Sequence, residues 1–293
     1  VSKSQKGENM PKFKIVVDST IDLSPEQYKK LGAIVTPSNV HIGEETFQDG
    51  VDINADKLYE KVAETKTAPK TSAVAPGVFK EVFEKLKAEG YTGALFVGIA
   101  EFLSATAQSA RLAAEEVKDF KVRVVDSHSL STGSGLLALR AYDLLNEGKT
   151  LDETADYLEK IAPKSRSQFI VDNLEMLAAG GRVTGIKLFF GRILRAHPFL
   201  QVNNDKLEVV ATPKGKSERA LDLMLQVARE EISAGLESPR VFITHSHGGE
   251  RIDYLYDRLK EFVDPKNILI SEAGAVISSH CGAGTIGILY IRK

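Results

Sequence analysis

The stretch Asn267 to Ile291 reads NILISEAGAVISSHCGAGTIGILYI, and how it is parsed decides the fold. Two apolar runs flank a run of small residues that presents one imidazole, His280. The stretch contains a literal G-x-G-x-x-G at Gly282, Gly284 and Gly287. A dinucleotide fingerprint needs its third glycine to open a helix in a βαβ unit, with an acidic residue about 20 positions further on. Only six residues follow Gly287, and ILYI predicts a strand. The fingerprint therefore fails on context. The expectation is strand, loop, strand, with a buried loop of small residues where a ligand can approach backbone amides beside a histidine.

The preceding chain alternates apolar runs with helical patterns. FKIVV at Phe13 to Val17 predicts a buried strand ending in Asp18-Ser19-Thr20. Ser24, Pro25 and Gln27 form a helix start with a capping box. Strands are expected at Ala33 to Pro37, Gly93 to Ile99 and Val122 to Val125, with an edge hairpin over Val40 to Phe47. Helices are expected from Asn54, Pro76, Thr106, Thr132 and Thr150, with a loop at Ala68 to Ser72. The fold class is α/β, a mostly parallel sheet flanked by helices. After a boundary near Pro163 a second α/β domain with a mixed sheet is expected. It holds a strand at Ser167 to Val171, short helices at Leu174 to Leu177 and Lys187 to Leu194, and a hairpin around Asn203-Asn204-Asp205. The expected division is 10–163 and 164–293, with a ligand between the two parts.

At 293 residues the chain has room for two cores. A net charge of -2 gives no pull toward nucleic acid. No apolar run approaches the ~18 residues of a membrane helix. VSKSQKGEN, ahead of Met10, lacks the apolar core of a signal peptide and is expected to be a tag remnant or disordered tail. One cysteine, Cys281, excludes an intramolecular disulfide framework. A cytoplasmic location is expected.

Several constellations compete for function. His245 and His247 have no evident third ligand, so no metal is expected. Asp126-Ser127-His128 has hydrolase residue types, but adjacent residues do not converge as a triad, and no G-x-S-x-G is present. Gly180-Gly181-Arg182 offers either a helix cap with a surface arginine or a guanidinium turned toward an anion. Thr71-Ser72 and Ser104-x-Thr106 each precede a helix, where hydroxyls cap and free amides suit an anionic group.

Read together, these pieces resemble the DegV family, which includes the fatty-acid-binding subunits of bacterial fatty acid kinase. The resemblance runs from about Lys12 to Arg292. It is carried by Ile15 to Thr20, Phe47-Gln48-Asp49-Gly50, Lys70-Thr71-Ser72, Leu103 to Ala110, Asp126-Ser127, Gly180-Gly181-Arg182 and the segment Gly274 through His280-x-Gly-x-Gly.

The resemblance implies two α/β domains enclosing a long-chain fatty acid, with the protein a carrier in phospholipid metabolism, not an enzyme, and no cofactor. A separate kinase subunit would convert the presented carboxyl group to an acyl phosphate. Thr71, Ser72, Ser104, Thr106 and His280 would meet the carboxyl group, and Arg182 would serve phosphoryl transfer or the partner contact. Residues Leu188 to Phe199 are expected to line the acyl tunnel. The chain departs from the family pattern at Ala100-Glu101, Ala105, Cys281, Ala283 and His197. An ionised Glu101 beside the ligand would repel its carboxylate. The competing expectations are a stand-alone hydrolase or small-molecule phosphotransferase using Ser104, His280 and Asp126, and an apolar-ligand sensor.

Overall fold

The structure is a computed structural model that describes residues 12–172, 174–183 and 196–293. Strand β1 (Phe13–Asp18) is almost wholly buried, as an unbroken apolar run in a parallel sheet should be. Helix α1 (Pro25–Leu31) starts with both hydrogen bonds of the Ser24/Gln27 capping box. Strand β2 (Ile34–Thr36) pairs parallel with β1. The expected edge hairpin forms from β3 (Asn39–Ile42) and β4 (Glu45–Gln48). Asn54 caps α2 (Ala55–Thr65). The expected loop at Ala68 to Ser72 instead contains β5 (Lys70–Ser72), which joins β3 antiparallel. Three residues next to a proline are too few for a pattern to register.

Helix α3 (Pro76–Ala88), β6 (Gly93–Gly98), α4 (Thr106–Glu116) and β7 (Lys121–Asp126) follow. The main sheet of this half is parallel throughout, in the order β2-β1-β6-β7. Helix α5 (Thr132–Asn146) is buried over nearly its whole length. A helix apolar on all sides belongs between layers. Its Leu136, Leu137 and Leu139 share one core with Val17, Leu95 and Val125 of the parallel sheet and with Phe242 and Leu289 from later strands. Helix α6 (Leu151–Ile161) opens on the Thr150/Glu153 capping box.

The remainder is built on β8 (Ser165–Ile170), α7 (Glu175–Gly180), β9 (Phe199–Asn203), β10 (Lys206–Ala211), α8 (Glu218–Ser233), β11 (Val241–Ser246), α9 (Arg251–Leu259), β12 (Ile268–Glu272), α10 (Ala275–Cys281) and β13 (Thr285–Ile291). The sheet order is β10-β9-β8-β13-β11-β12. Only β11 and β12 run parallel in it, so the sheet is mixed. Asn204 and Asp205, both at positive φ, turn the β9–β10 hairpin. The helix expected over Lys187 to Leu194 lies outside the described residues.

A second expected loop is also overturned. The small-residue segment between β12 and β13 is the helix α10, not a loop. No side chain of its own caps it. Its first amides are instead bonded by Asp22 and Asp49, more than two hundred residues earlier in the chain.

Candidate functional site

A cavity opens where the parallel sheet's loops face α7, α10 and the mixed sheet. Together with its open mouth it encloses about 960 Å³ of space not filled by protein atoms. Its walls are mainly apolar: Ile99, Leu103, Leu130, Phe169, Leu177 and Leu289. All but Leu289 belong to, or pack against, one hydrophobic cluster around the cavity.

Hydroxyls on the wall are mostly committed to the protein. Thr20 donates to Asp18, Ser131 to Asp22, and Thr285 to the Cys281 carbonyl at 2.8 Å. Ser246 and Ser278 are 2.7 Å apart. Hydroxyls bonded in this way present little unmet polarity to a ligand. Ser131 is held at φ 52°, ψ -140°, a sparsely populated conformation maintained at the start of α5.

Polar groups gather at the mouth. Thr71 on β5 and His280 in the last turn of α10 meet through Oγ1 and Nε2 at 2.8 Å. Burial, then the charge of Arg182, pushes the His280 pKa down to about 4, so the ring is neutral near pH 7. His280 Nδ1 is buried, with no hydrogen-bond partner among the described residues. It faces Gly180, where an added Cβ would lie 2.2 Å from that nitrogen. Gly180 is therefore the position that makes room for the imidazole.

Ser104 lines the cavity, and its Oγ lies 2.9 Å from Thr106 Oγ1. Thr106 does not reach the wall: it is fully buried, and its hydroxyl also accepts from the Val74 amide at 3.4 Å. Ser72 is at the rim, with its Oγ 3.0 Å from His41 Nε2. The exposed Arg182 is steered by two backbone carbonyls, Gly180 at 2.5 Å and Leu103 at 3.5 Å. It also borders a second hollow with Phe102, Asp205 and Lys206.

Thus five of the six sequence-derived site residues, Thr71, Ser72, Ser104, His280 and Arg182, border one cavity. The sixth, Thr106, holds Ser104. Glu101 turns outward and pairs with Arg111. His197 Nδ1 is 3.5 Å from the Asp172 carboxylate. Of the stretch expected to line the tunnel, 188–195 lies outside the described residues, and Phe199 packs in the core beside α8. The missed wall comes from Phe169 on β8, Leu177 on α7 and Leu289 on β13, apolar positions that the quoted motifs do not include.

The rival constellations do not connect. Asp126 accepts from the Glu101 and His128 amides at 3.2 and 3.1 Å, away from Ser104 and His280. Ser127 bonds Ser134, and His128 bonds Asp205. His245 lines the cavity while His247 turns to Asp56. Among the described residues, no three His, Cys, Asp or Glu side chains cluster as metal ligands, and no helix is long and apolar enough to cross a membrane.

An apolar cavity bordered by a neutral imidazole, hydroxyls and one arginine has the make-up of a small-ligand site with one polar end. The DegV family model matches residues 12–293, and the chain belongs to that family. A DegV domain-containing protein of Halalkalibacterium halodurans is 32% identical, covering 97% of this chain and 100% of its own. The solved structure of a DegV family protein from Thermus thermophilus, described as binding fatty acid, is 31% identical. It superposes with a TM-score of 0.88, covering 96% of this chain and 100% of its own. DegV of Bacillus subtilis, described as a fatty acid binding protein, is 25% identical with a TM-score of 0.85, covering 96% of this chain and 99% of its own.

Proposed function

We propose that the protein holds a long-chain fatty acid in this cavity and presents its carboxyl group to a separate kinase subunit for acyl-phosphate formation. The observation that carries this is the Thr71–His280 pair at the mouth of an otherwise apolar cavity. The neutral ring has one proton to place. With that proton on Nε2, Thr71 accepts from the ring and keeps its hydroxyl proton for a carboxylate oxygen. Ser104 supplies a second hydroxyl, Thr106 orients it, and Ser72 stands at the rim. The fatty-acid-binding Thermus relative supports the ligand class. The cavity draws on both 10–163 and 164–293, which supports a ligand lying between two parts.

Burying about fourteen methylenes at ~0.8 kcal/mol each supplies on the order of 11 kcal/mol before ordering costs. The carboxyl group must be hydrogen-bonded where it leaves water, and this is the task of the cluster at the mouth. Arg182 stands beside that cluster with guanidinium N–H groups left for an anion, and it would bind the phosphoryl group or the kinase. The carrier supplies no catalysis of its own in this scheme; the kinase brings ATP.

Organic extraction of purified protein, or its native mass spectrum, should yield stoichiometric long-chain fatty acid. Ligand-free preparations that also take up no added fatty acid would sink the proposal. His280→Ala and Ser104→Ala should both lower acyl-phosphate yield with a cognate kinase; unchanged yield in both means the head group sits elsewhere. Arg182→Ala should retain lipid and lose the kinase step.

A further inference from the structure

Helix α10 has seven residues and carries His280 in its last turn. Gly274 N donates to Asp22 Oδ1 at 2.9 Å, and Ala275 N donates to Asp49 Oδ1 at 2.7 Å. Both acids are buried, 4% and 2% exposed. Each is itself anchored through its second oxygen: Asp22 accepts from Ser131, and Asp49 from Ser19 at 2.8 Å. The carbonyl of Asp22 also accepts from Ser271, just ahead of the helix.

We propose that Asp22 and Asp49 are positioning residues for the head-group site: they fix where α10 begins, and so where His280 meets Thr71. At 1.5 Å rise per residue, Ala275 and His280 are about 8 Å apart along a rod too short to bend. A shift at its start is therefore delivered to the imidazole. Two features leave no slack. A side chain at Gly274 is excluded, because its Cβ would stand 2.9 Å from Asp49 Oδ1, so no local cap can replace the remote ones. Gly180 closes over Nδ1, so the ring cannot swing away to absorb a displacement. Thr71, the partner of the ring, is held by the pairing of β5 with β3, the strand on which Ala275 and Val276 of α10 also pack.

The effect on ligand rests on the carrier function proposed above; the effect on the imidazole does not. The test uses the full chain, with Asp49→Ala and Asp49→Asn. The side chain of His280 is titrated by NMR without ligand, and palmitate affinity is measured separately. Asp49→Ala should raise the His280 midpoint by about one pKa unit or more and weaken palmitate binding roughly tenfold. Asp49→Asn keeps an oxygen for the Ala275 amide and should restore both. If Asp49→Ala does not fold, Asp49→Ser, too short to reach that amide, is read in its place. Lower thermal stability with wild-type titration and wild-type palmitate affinity would overturn the proposal, as would an asparagine variant that behaves like alanine. If wild-type protein takes up no palmitate, the carrier function fails and the titration alone decides the positioning role.

Discussion

The two ends of α10 handle buried polarity in opposite ways. At its start, Asp22 and Asp49 use both carboxylate oxygens in hydrogen bonds to the protein. At its end, His280 bonds Thr71, and Nδ1 has no partner among the described residues. Burial favours the neutral form in each case, so it raises the acids and lowers the imidazole. Polar groups that are fully bonded fix the fold. At the other end the ring is neutral, with Nδ1 shut in against Gly180 and its one bond made to the Thr71 hydroxyl on the cavity wall.

The largest test of this contrast is the pH dependence of stability. His280 titrates at about 4 when folded against an ordinary 6.5. Its contribution is complete above the ordinary value and is lost as pH falls from there toward 4. The loss is on the order of 3 kcal/mol at most. Asp22 has the opposite sign: with a raised folded pKa, its contribution is complete below 3.8 and is lost as pH rises through the folded value. Urea unfolding of His280→Gln and Asp22→Asn at several pH values should therefore give difference curves, wild type minus variant, that tilt in opposite directions. Tilts of the same sign would break the comparison.

Next in size is a pair of adjacent glycines. Gly180→Ala drives a methyl group into the His280 ring, and overpacking of this kind costs about 1–3 kcal/mol. Fatty-acid affinity should fall with it. Gly181 has φ 68°, and none of the described residues comes within 4 Å of its missing Cβ. Gly181→Ala should cost about 1 kcal/mol through the backbone and leave affinity intact. Calorimetric unfolding with a binding titration separates the two; equal losses of affinity would show that the imidazole seat is not special.

A smaller effect concerns Cys281, beside His280. Burial pushes its thiol up to about 12, and a thiol that stays protonated is a poor nucleophile. It should resist a disulfide reagent in native protein and react on unfolding, as followed by thiolate release. Smallest of all is Glu101→Gln, which removes an exposed pair with Arg111. A change under about 1 kcal/mol is expected, with fatty-acid binding unaltered.

The parallel sheet was legible because its signals are local. β1 is an apolar run, and the boxes at Ser24/Gln27 and Thr150/Glu153 sit within four residues. Residue types alone left capping or a surface arginine open for Thr71, Ser104 and Arg182; the family resemblance grouped them with His280, and all four border one cavity. What the sequence hid is long-range. α10 has no local cap, since its capping groups lie in the β1–α1 and β4–α2 connections. β5 exists only by pairing with β3. The direction of Glu101 depends on Arg111, a turn and more into α4. The seat at Gly180 follows from α7 packing on α10, which nothing in Gly180-Gly181-Arg182 announces.

Among the described residues β13 is the last strand in chain order, yet it lies between β8 and β11 in the mixed sheet, with all seven residues buried. On a ribosome, β8 and β11 therefore emerge without the neighbour that joins them. A nascent chain halted before Thr285 would carry two unpaired strand edges rather than a shortened sheet, a state prone to wrong pairing. The head-group pair assembles late for the same reason. Thr71 is made early and must wait for His280, 209 positions on, so the pair cannot form until that intervening length has been synthesised.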